Sequence, residues 1–388
     1  MTLRTSQRAE RIIQSEIRAM HLESEKVKGI NLSQGVCDTE VPEPVRRGAQ
    51  QAIDDGINSY TRYDGLAELR EMIARKMADY NGLVADPEKE IIVSGGSTGA
   101  FYCACLALLN PGDEVILFEP YYGYHLNTIL AAEAVPAYVR LHPPDWRFNL
   151  RDLEAAVTPR TKGIVVNTPA NPSGKVFGLE ELKGIRDVAV RHDLVVFTDE
   201  IYEYFLYDGR KHVSPASLPG MKERTVTISG FSKTFSITGW RIGYAVCRSE
   251  WAQVIGYLND LIYVCAPAPL QMGVARGIAE LEPSYYRALS AQYAAKREKI
   301  CGALARAGLE PSLPQGSYYV LADVTHLPGR TSKDKAMFIL AKTRVAGVPD
   351  ESFYHEPVSP QFVRFCFAKE DSDLEEACRR LESLPSLA

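Results

Sequence analysis

The sequence predicts an α/β protein, and three observations carry that reading. Between about residues 90 and 250, short apolar runs alternate with longer segments whose apolar residues recur at helical spacing. Several of the runs, such as Gly163–Asn167 and Leu194–Thr198, are nearly continuous in apolar character. Strands of a mostly parallel sheet read this way because helices cover both faces. The chain is also 388 residues long, too much for one small core but suited to a large domain with a lesser one.

Taken in order, the expected strands are Glu90–Ser94, Glu114–Phe118, Gly163–Asn167, Leu194–Thr198, Thr225–Ser229 and Gly243–Cys247. Leu179–His192 is a helix by its periodicity. Asn110-Pro-Gly-Asp113 and Asn171-Pro-Ser-Gly174 are turns within the domain rather than linkers. The two ends read differently. Residues 1–45 open with an amphipathic helix and pass into an irregular Gly/Pro stretch. A helical pattern over Ser284–Ala307 leads to strand-like Tyr318–Val324 and Phe362–Phe367, then a charged closing helix. The expected division is a large domain over 46–283 and a small α+β domain from 1–45 and 284–388, with an N-terminal arm.

Composition removes several classes of function. The net charge is −5 with no basic block, so neither nucleic acid nor an anionic membrane is an expected partner. No run of 18 apolar residues suggests a membrane span, and the N-terminus lacks the apolar stretch of a secretory signal. The eight cysteines form no Cys-x-x-Cys pair and no Cys/His group at zinc spacing, so no metal is expected. Cys103 and Cys105 sit in an apolar helical run and read as buried thiols. The expected setting is the reduced cytoplasm.

Four segments carry chemistry. In Ser229-Gly-Phe-Ser-Lys-Thr-Phe-Ser-Ile-Thr-Gly-Trp-Arg-Ile-Gly243, a lysine follows an apolar strand among small hydroxyl residues. Lysine so placed has its pKa lowered and can form a Schiff base. Arg241, eight residues on, offers a planar fork for a phosphate. In Phe197-Thr-Asp-Glu-Ile-Tyr202, Asp199 ends a strand at the edge where open α/β sheets bind ligands. A helix N-cap is the other reading of Asp199. Val93-Ser-Gly-Gly-Ser-Thr-Gly-Ala100 is a strand, a glycine turn and a helix start, either a phosphate seat or an ordinary turn. In Asn167-Thr-Pro-Ala-Asn-Pro-Ser-Gly174, Asn171 is a turn residue or a buried amide donor.

In this order the four segments resemble the class I/II aminotransferases of the pyridoxal 5′-phosphate (PLP) fold-type I superfamily, from about Ile30 to Phe367. The motifs are Asn-Pro-x-Gly, then Asp-x-x-Tyr, then Ser-Lys with Gly-x-Arg-x-Gly. The resemblance implies a large domain with a mostly parallel seven-stranded sheet plus a small α+β domain. It implies that Lys233 holds PLP as a Schiff base and moves the proton between substrate Cα and cofactor C4′. It implies Asp199 at the pyridinium nitrogen, Tyr202 and Asn171 at the ring oxygen, and Ser97, Thr98 and Arg241 at the phosphate. Tyr122 matches the ring-stacking aromatic. Tyr60 matches the tyrosine that reaches the phosphate of the neighbouring subunit, so a homodimer with shared sites is expected. Arg364, in Phe362-Val-Arg-Phe-Cys-Phe-Ala368, matches the anchor of the substrate α-carboxylate, near Gly35 and Asn171.

The implied reaction moves an amino group from an L-amino acid to a 2-oxo acid, the cofactor alternating with pyridoxamine phosphate. A β-eliminating lyase on the same fold is the alternative, and a non-catalytic PLP-binding regulator the remote one. Three departures from the family pattern bear on the site. Cys37 stands where proline is common, Gly230 stands where a phosphate-binding serine is frequent, and Pro349–His355 replaces a common loop beside the substrate. The stretch Asp260–Pro269 lacks the arginine that dicarboxylate-specific relatives borrow from the partner subunit. Ile17, Tyr63, Tyr124, Phe353 and Tyr354 are the expected pocket residues. They suit a neutral, aromatic or sulfur-containing side chain, unless Arg18 or Arg62 swings in to serve an acidic one.

Overall fold

The computed structural model describes residues 5–387. Its strands are β1 (Ile30–Asn31), β2 (Ile91–Gly95), β3 (Glu114–Glu119), β4 (Val135–Arg140), β5 (Thr161–Asn167), β6 (Val195–Asp199), β7 (Thr225–Gly230), β8 (Ile242–Val246), β9 (Glu310–Ser312), β10 (Tyr319–Asp323), β11 (Val345–Ala346), β12 (Val348–Pro349) and β13 (Phe362–Cys366). A seven-stranded sheet has the order β2-β8-β7-β6-β5-β3-β4. Its pairs are parallel except for those made by β8, which runs against both neighbours.

Both faces of this sheet are buried, which explains the unbroken apolar runs. Val165, Phe197 and Val226 face one cluster with Phe101 and Ala104, from the helix Gly96–Leu108. Ile164, Val166 and Val196 face the other, with Leu182 and Ile185 from the helix Leu179–Arg191. Val135–Arg140 carries no strand signal in the sequence because β4 is an edge strand, mostly half-buried, with Pro136 inside it. An edge position tolerates that proline and needs no continuous apolar run.

The second sheet, β12-β13-β10-β9, is antiparallel, and β1 pairs in parallel with β11. The helix Pro283–Arg306 covers this sheet through Tyr293, Ile300 and Leu304, which share a core with Val320, Ala322 and Phe365. Ile201, Tyr202 and Phe205 join the same core. The segment following β6 is therefore wedged against the second sheet. The opening helix is not one element: Ser6 caps Gln7–Glu10 and Ser15 caps a second helix, Glu16–Lys26. Each hydroxyl accepts from a backbone N–H of its own first turn, so two starts replace one. No helix among the described residues is long and apolar enough to cross a membrane.

Candidate active site

A cavity of about 310 Å³ opens where the carboxyl ends of β5 and β6 meet β10 and β13 of the second sheet. Loops leaving a parallel sheet at this edge present their side chains to one crevice. Gly35, Ser97, Thr98, Tyr122, Asn171, Asp199, Tyr202, Lys233, Arg241 and Arg364 all line it. Ten of the eleven residues expected at the site thus converge. Tyr60 does not; its side chain lies on the surface, 82% exposed.

Lys233 follows β7, and its Nζ donates to the carbonyl of Gly35 at 2.8 Å. Burial lowers its pKa, and the Arg241 charge adds to that effect. Asp199, the last residue of β6, is buried; its Oδ1 accepts from the N–H of Ile201 and its Oδ2 lies 2.9 Å from His125 Nε2. The hydroxyls of Tyr202 and Tyr319 are 3.0 Å apart, and burial pushes both phenols up. Tyr122 lies stacked on Tyr124, with ring centroids 5.1 Å apart.

Ser97 and Thr98 stand in the first turn of the helix Gly96–Leu108, directly after β2. Arg241 reaches this turn, donating to the carbonyls of Thr238 (3.0 Å) and Gly95 (3.3 Å). A Cβ at Gly96 would lie 2.4 Å from the Arg241 guanidinium, so that approach requires glycine. At Gly230 a Cβ would meet Gly243 Cα at 2.9 Å and the Ile242 carbonyl at 3.0 Å. The close contact of β7 with β8 leaves no room for the serine common in relatives. Cys37 is buried beside the lysine segment, its thiol 3.7 Å from the Lys233 carbonyl.

Arg364 is fully buried on β13, an inner strand rather than an edge. It donates to Asn171 Oδ1 at 2.7 Å and to the Ser33 carbonyl, and it lies 4.3 Å from the Tyr319 ring centroid. The other expected pocket residues divide. Ile17 and Tyr124 line the cavity, whereas Tyr63 packs on Tyr257 beside a different cleft. Phe353 lies beneath Arg364 and Tyr354 beside Arg140, both packed into a small apolar cluster with Val348 instead of lining the cavity. Arg62 is committed to Asp64 and Glu88, and Arg18 is exposed and does not line the cavity.

His125 and Tyr319 also line the cavity, although no sequence motif marks them. His125 is one helical turn beyond Tyr122, a spacing that puts both on one face. Tyr319 alternates with the buried core residues of β10, and nothing local marks it as different.

The donor set fits a phosphorylated pyridine aldehyde. Among the described residues Arg241 pairs with no carboxylate, so the guanidinium beside Ser97 and Thr98 is matched by carbonyl oxygens alone. Asn167 Nδ2 and Arg364 Nε are buried without a partner. An anion beside Arg241, a ring nitrogen facing Asp199 and a carboxylate near Arg364 would complete these groups. A buried lysine, a strand-end carboxylate and this seat define a PLP enzyme of fold type I.

The chain belongs to the class I and II aminotransferases, matching that family over residues 27–381. It is 34% identical to kynurenine–oxoglutarate transaminase of Dictyostelium discoideum, over 91% of this chain and 90% of that one. Aspartate aminotransferase of Pyrococcus abyssi is also 34% identical, over 98% and 97%. The solved structure of N-succinyldiaminopimelate aminotransferase from Mycobacterium tuberculosis superposes with a TM-score of 0.94 at 34% identity, covering 98% of this chain and all of that one. The protein is a PLP-dependent aminotransferase acting on amino acid and 2-oxo acid substrates.

Proposed function

We propose that this aminotransferase takes a neutral L-amino acid, aromatic or sulfur-containing, as its donor. The observation that carries the reading is the placement of cations. Apart from Lys233 and Arg241, Arg364 is the one arginine or lysine lining the cavity among the described residues. Ile17, Tyr124 and Tyr319 border the same space. One arginine serves the α-carboxylate, and a second carboxylate would be buried without a partner. Flat apolar surface suits a ring or a thioether.

Lys233 is the residue that tethers the cofactor and carries the proton between substrate Cα and cofactor C4′; burial favours its neutral amine. Bound PLP supplies a ring that accepts the electrons of the broken Cα–H bond. Asp199, held by His125, faces the ring nitrogen, while Tyr202 and Asn171 serve the ring oxygen. Ser97, Thr98 and Arg241 hold the phosphate, and Tyr122 stacks on the ring. Arg364 binds the α-carboxylate next to Gly35 and Asn171, its Nε being the buried donor without a partner.

The active unit is a cytoplasmic homodimer in which Tyr60 reaches the partner's phosphate. The exposed side chains of Tyr60, Leu261 and Ile262 are available for a subunit contact. Eight unpaired cysteines suit a reducing compartment. The large domain spans 46–283, and 1–45 with 284–388 form the small one. Comparing kcat/KM for phenylalanine, methionine, alanine and aspartate with one common acceptor tests the substrate class. Aspartate ahead of the other three by tenfold or more would overturn it.

A further inference from the structure

We propose that a buried polar network on the far side of the β6 end, centred on Glu200 and Glu203, positions Asp199 and Tyr202 toward the cofactor. The inference rests on the reading of Asp199 and Tyr202 as cofactor contacts. Along Asp199–Glu203 the side chains divide: Asp199 and Tyr202 line the cavity, while Glu200 and Glu203 turn away from it, 0% and 2% exposed.

Glu200 is saturated. Its Oε1 accepts from the hydroxyls of Thr198 (2.8 Å) and Ser214 (2.9 Å), its Oε2 from His212 Nε2 (2.6 Å) and Asn81 Nδ2 (3.3 Å). Glu203 Oε1 pairs with Lys76 Nζ at 2.5 Å and accepts from Ser229 Oγ at 2.9 Å, and its Oε2 accepts from Asn81 at 2.9 Å. Lys76 also donates to Tyr244 of β8, and Tyr80 donates to the Glu203 carbonyl at 2.7 Å. Burial works to raise the Glu203 carboxyl, but Lys76, His212 and Asn81 together hold it below the usual range. Glu200, Glu203 and His212 approach one another as metal ligands do, yet the cation paired at Glu203 is Lys76.

The network joins the segments that carry the site. Thr198 and Glu200 flank Asp199, Ser229 lies four residues before Lys233, and Tyr244 lies three after Arg241. The helix Ala67–Asn81 supplies Lys76, Tyr80 and Asn81 and clamps all three from behind. Both oxygens of each carboxylate are engaged, whereas Asn81 Oδ1 and His212 Nδ1 at the rim of the network are buried without a partner. Removing a partner from a buried charge in such a network is costly. These groups do not line the cavity, so they are positioning residues.

Glu203→Gln is the discriminating variant. Its amide NH₂ would face Lys76 in one orientation and the Asn81 NH₂ in the other, so both rotamers set donor against donor. The expected result is a folded apo-protein by far-UV circular dichroism whose PLP dissociation constant rises tenfold or more. The pH midpoint of the visible absorbance of the Lys233-linked cofactor should also move by half a unit or more. Ser229→Ala, which removes one hydroxyl donor, should shift both readouts in the same direction by about threefold and a few tenths of a unit, and it decides the matter if Glu203→Gln does not fold. Asp199→Ala, measured alongside, separates the two levels. If Asp199→Ala alters PLP affinity and the absorbance titration while folded Glu203→Gln or Ser229→Ala matches the parent in both, the network proposal fails. If Asp199→Ala changes neither, the reading of the cofactor contacts fails first and takes the proposal with it.

Discussion

His125 Nε2 lies 2.9 Å from Asp199 Oδ2, and both groups are buried. The imidazole thus fixes the carboxylate that ends β6, and its ring sits edge-on to Tyr122 at 5.3 Å. A hydrogen bond to a charged group contributes about 1.5–3 kcal/mol. His125→Leu should therefore weaken PLP binding by roughly 10- to 100-fold. Titrating apo-protein with PLP and following absorbance checks this, and an unchanged dissociation constant would rule out the imidazole as the support of Asp199.

Lys233→Ala should abolish the covalent link to PLP and nearly all turnover, because in the proposed site one amine both tethers the cofactor and moves the proton. Borohydride reduction followed by peptide mass analysis should label Lys233 and no other lysine. The pH dependence follows from burial, which sets the Lys233 amine below its ordinary 10.5. A lowered amine pKa means that the neutral, nucleophilic form appears at lower pH. Covalent capture of PLP by apo-protein should accordingly rise with pH through a midpoint below that of an exposed lysine. A midpoint at or above the exposed-lysine value would contradict the desolvated environment.

Arg364→Lys should raise KM for every amino donor, by about tenfold or more, with the visible spectrum of the bound cofactor unchanged. The guanidinium uses two nitrogens on Asn171 and Ser33 while keeping its planar fork, which an ammonium on a flexible stem does not reproduce. Steady-state kinetics with three or more donors tests it. Unchanged half-saturation throughout would remove Arg364 from the carboxylate site.

Mixing inactive Lys233→Ala protein with impaired Tyr60→Phe protein under subunit exchange should restore part of the activity. In the hybrid one site carries both defects and the other neither. Recovery is read as activity against the mixing ratio. Demonstrated exchange with no recovery would mean that each subunit builds its phosphate site alone, which its exposed Tyr60 side chain does not suggest.

The class of the protein was legible in the sequence because its signals are local. Strands buried on both faces leave unbroken apolar runs, and the turns at their carboxyl ends hold Ser97, Thr98, Asn171, Asp199 and Lys233 within a few residues of each run. Those signals together with the family resemblance point to ten residues that line one cavity; Gly35, Tyr122 and Arg364 come from the resemblance alone. The tertiary structure alone decided what those residues touch. Arg364 and Asn171 are 193 positions apart and meet at 2.7 Å only because the second sheet packs over the ends of the first. His125 and Tyr319 carry no local mark, and the edge strand Val135–Arg140 lacks the apolar run that identifies its neighbours. The inward packing of Phe353 and Tyr354, the commitment of Arg62 to Asp64 and Glu88, and the Lys76–Glu203 pair are likewise products of packing. Apolar periodicity records which face of an element is covered, whereas the partner that a buried charge finds is fixed only when distant elements close around it.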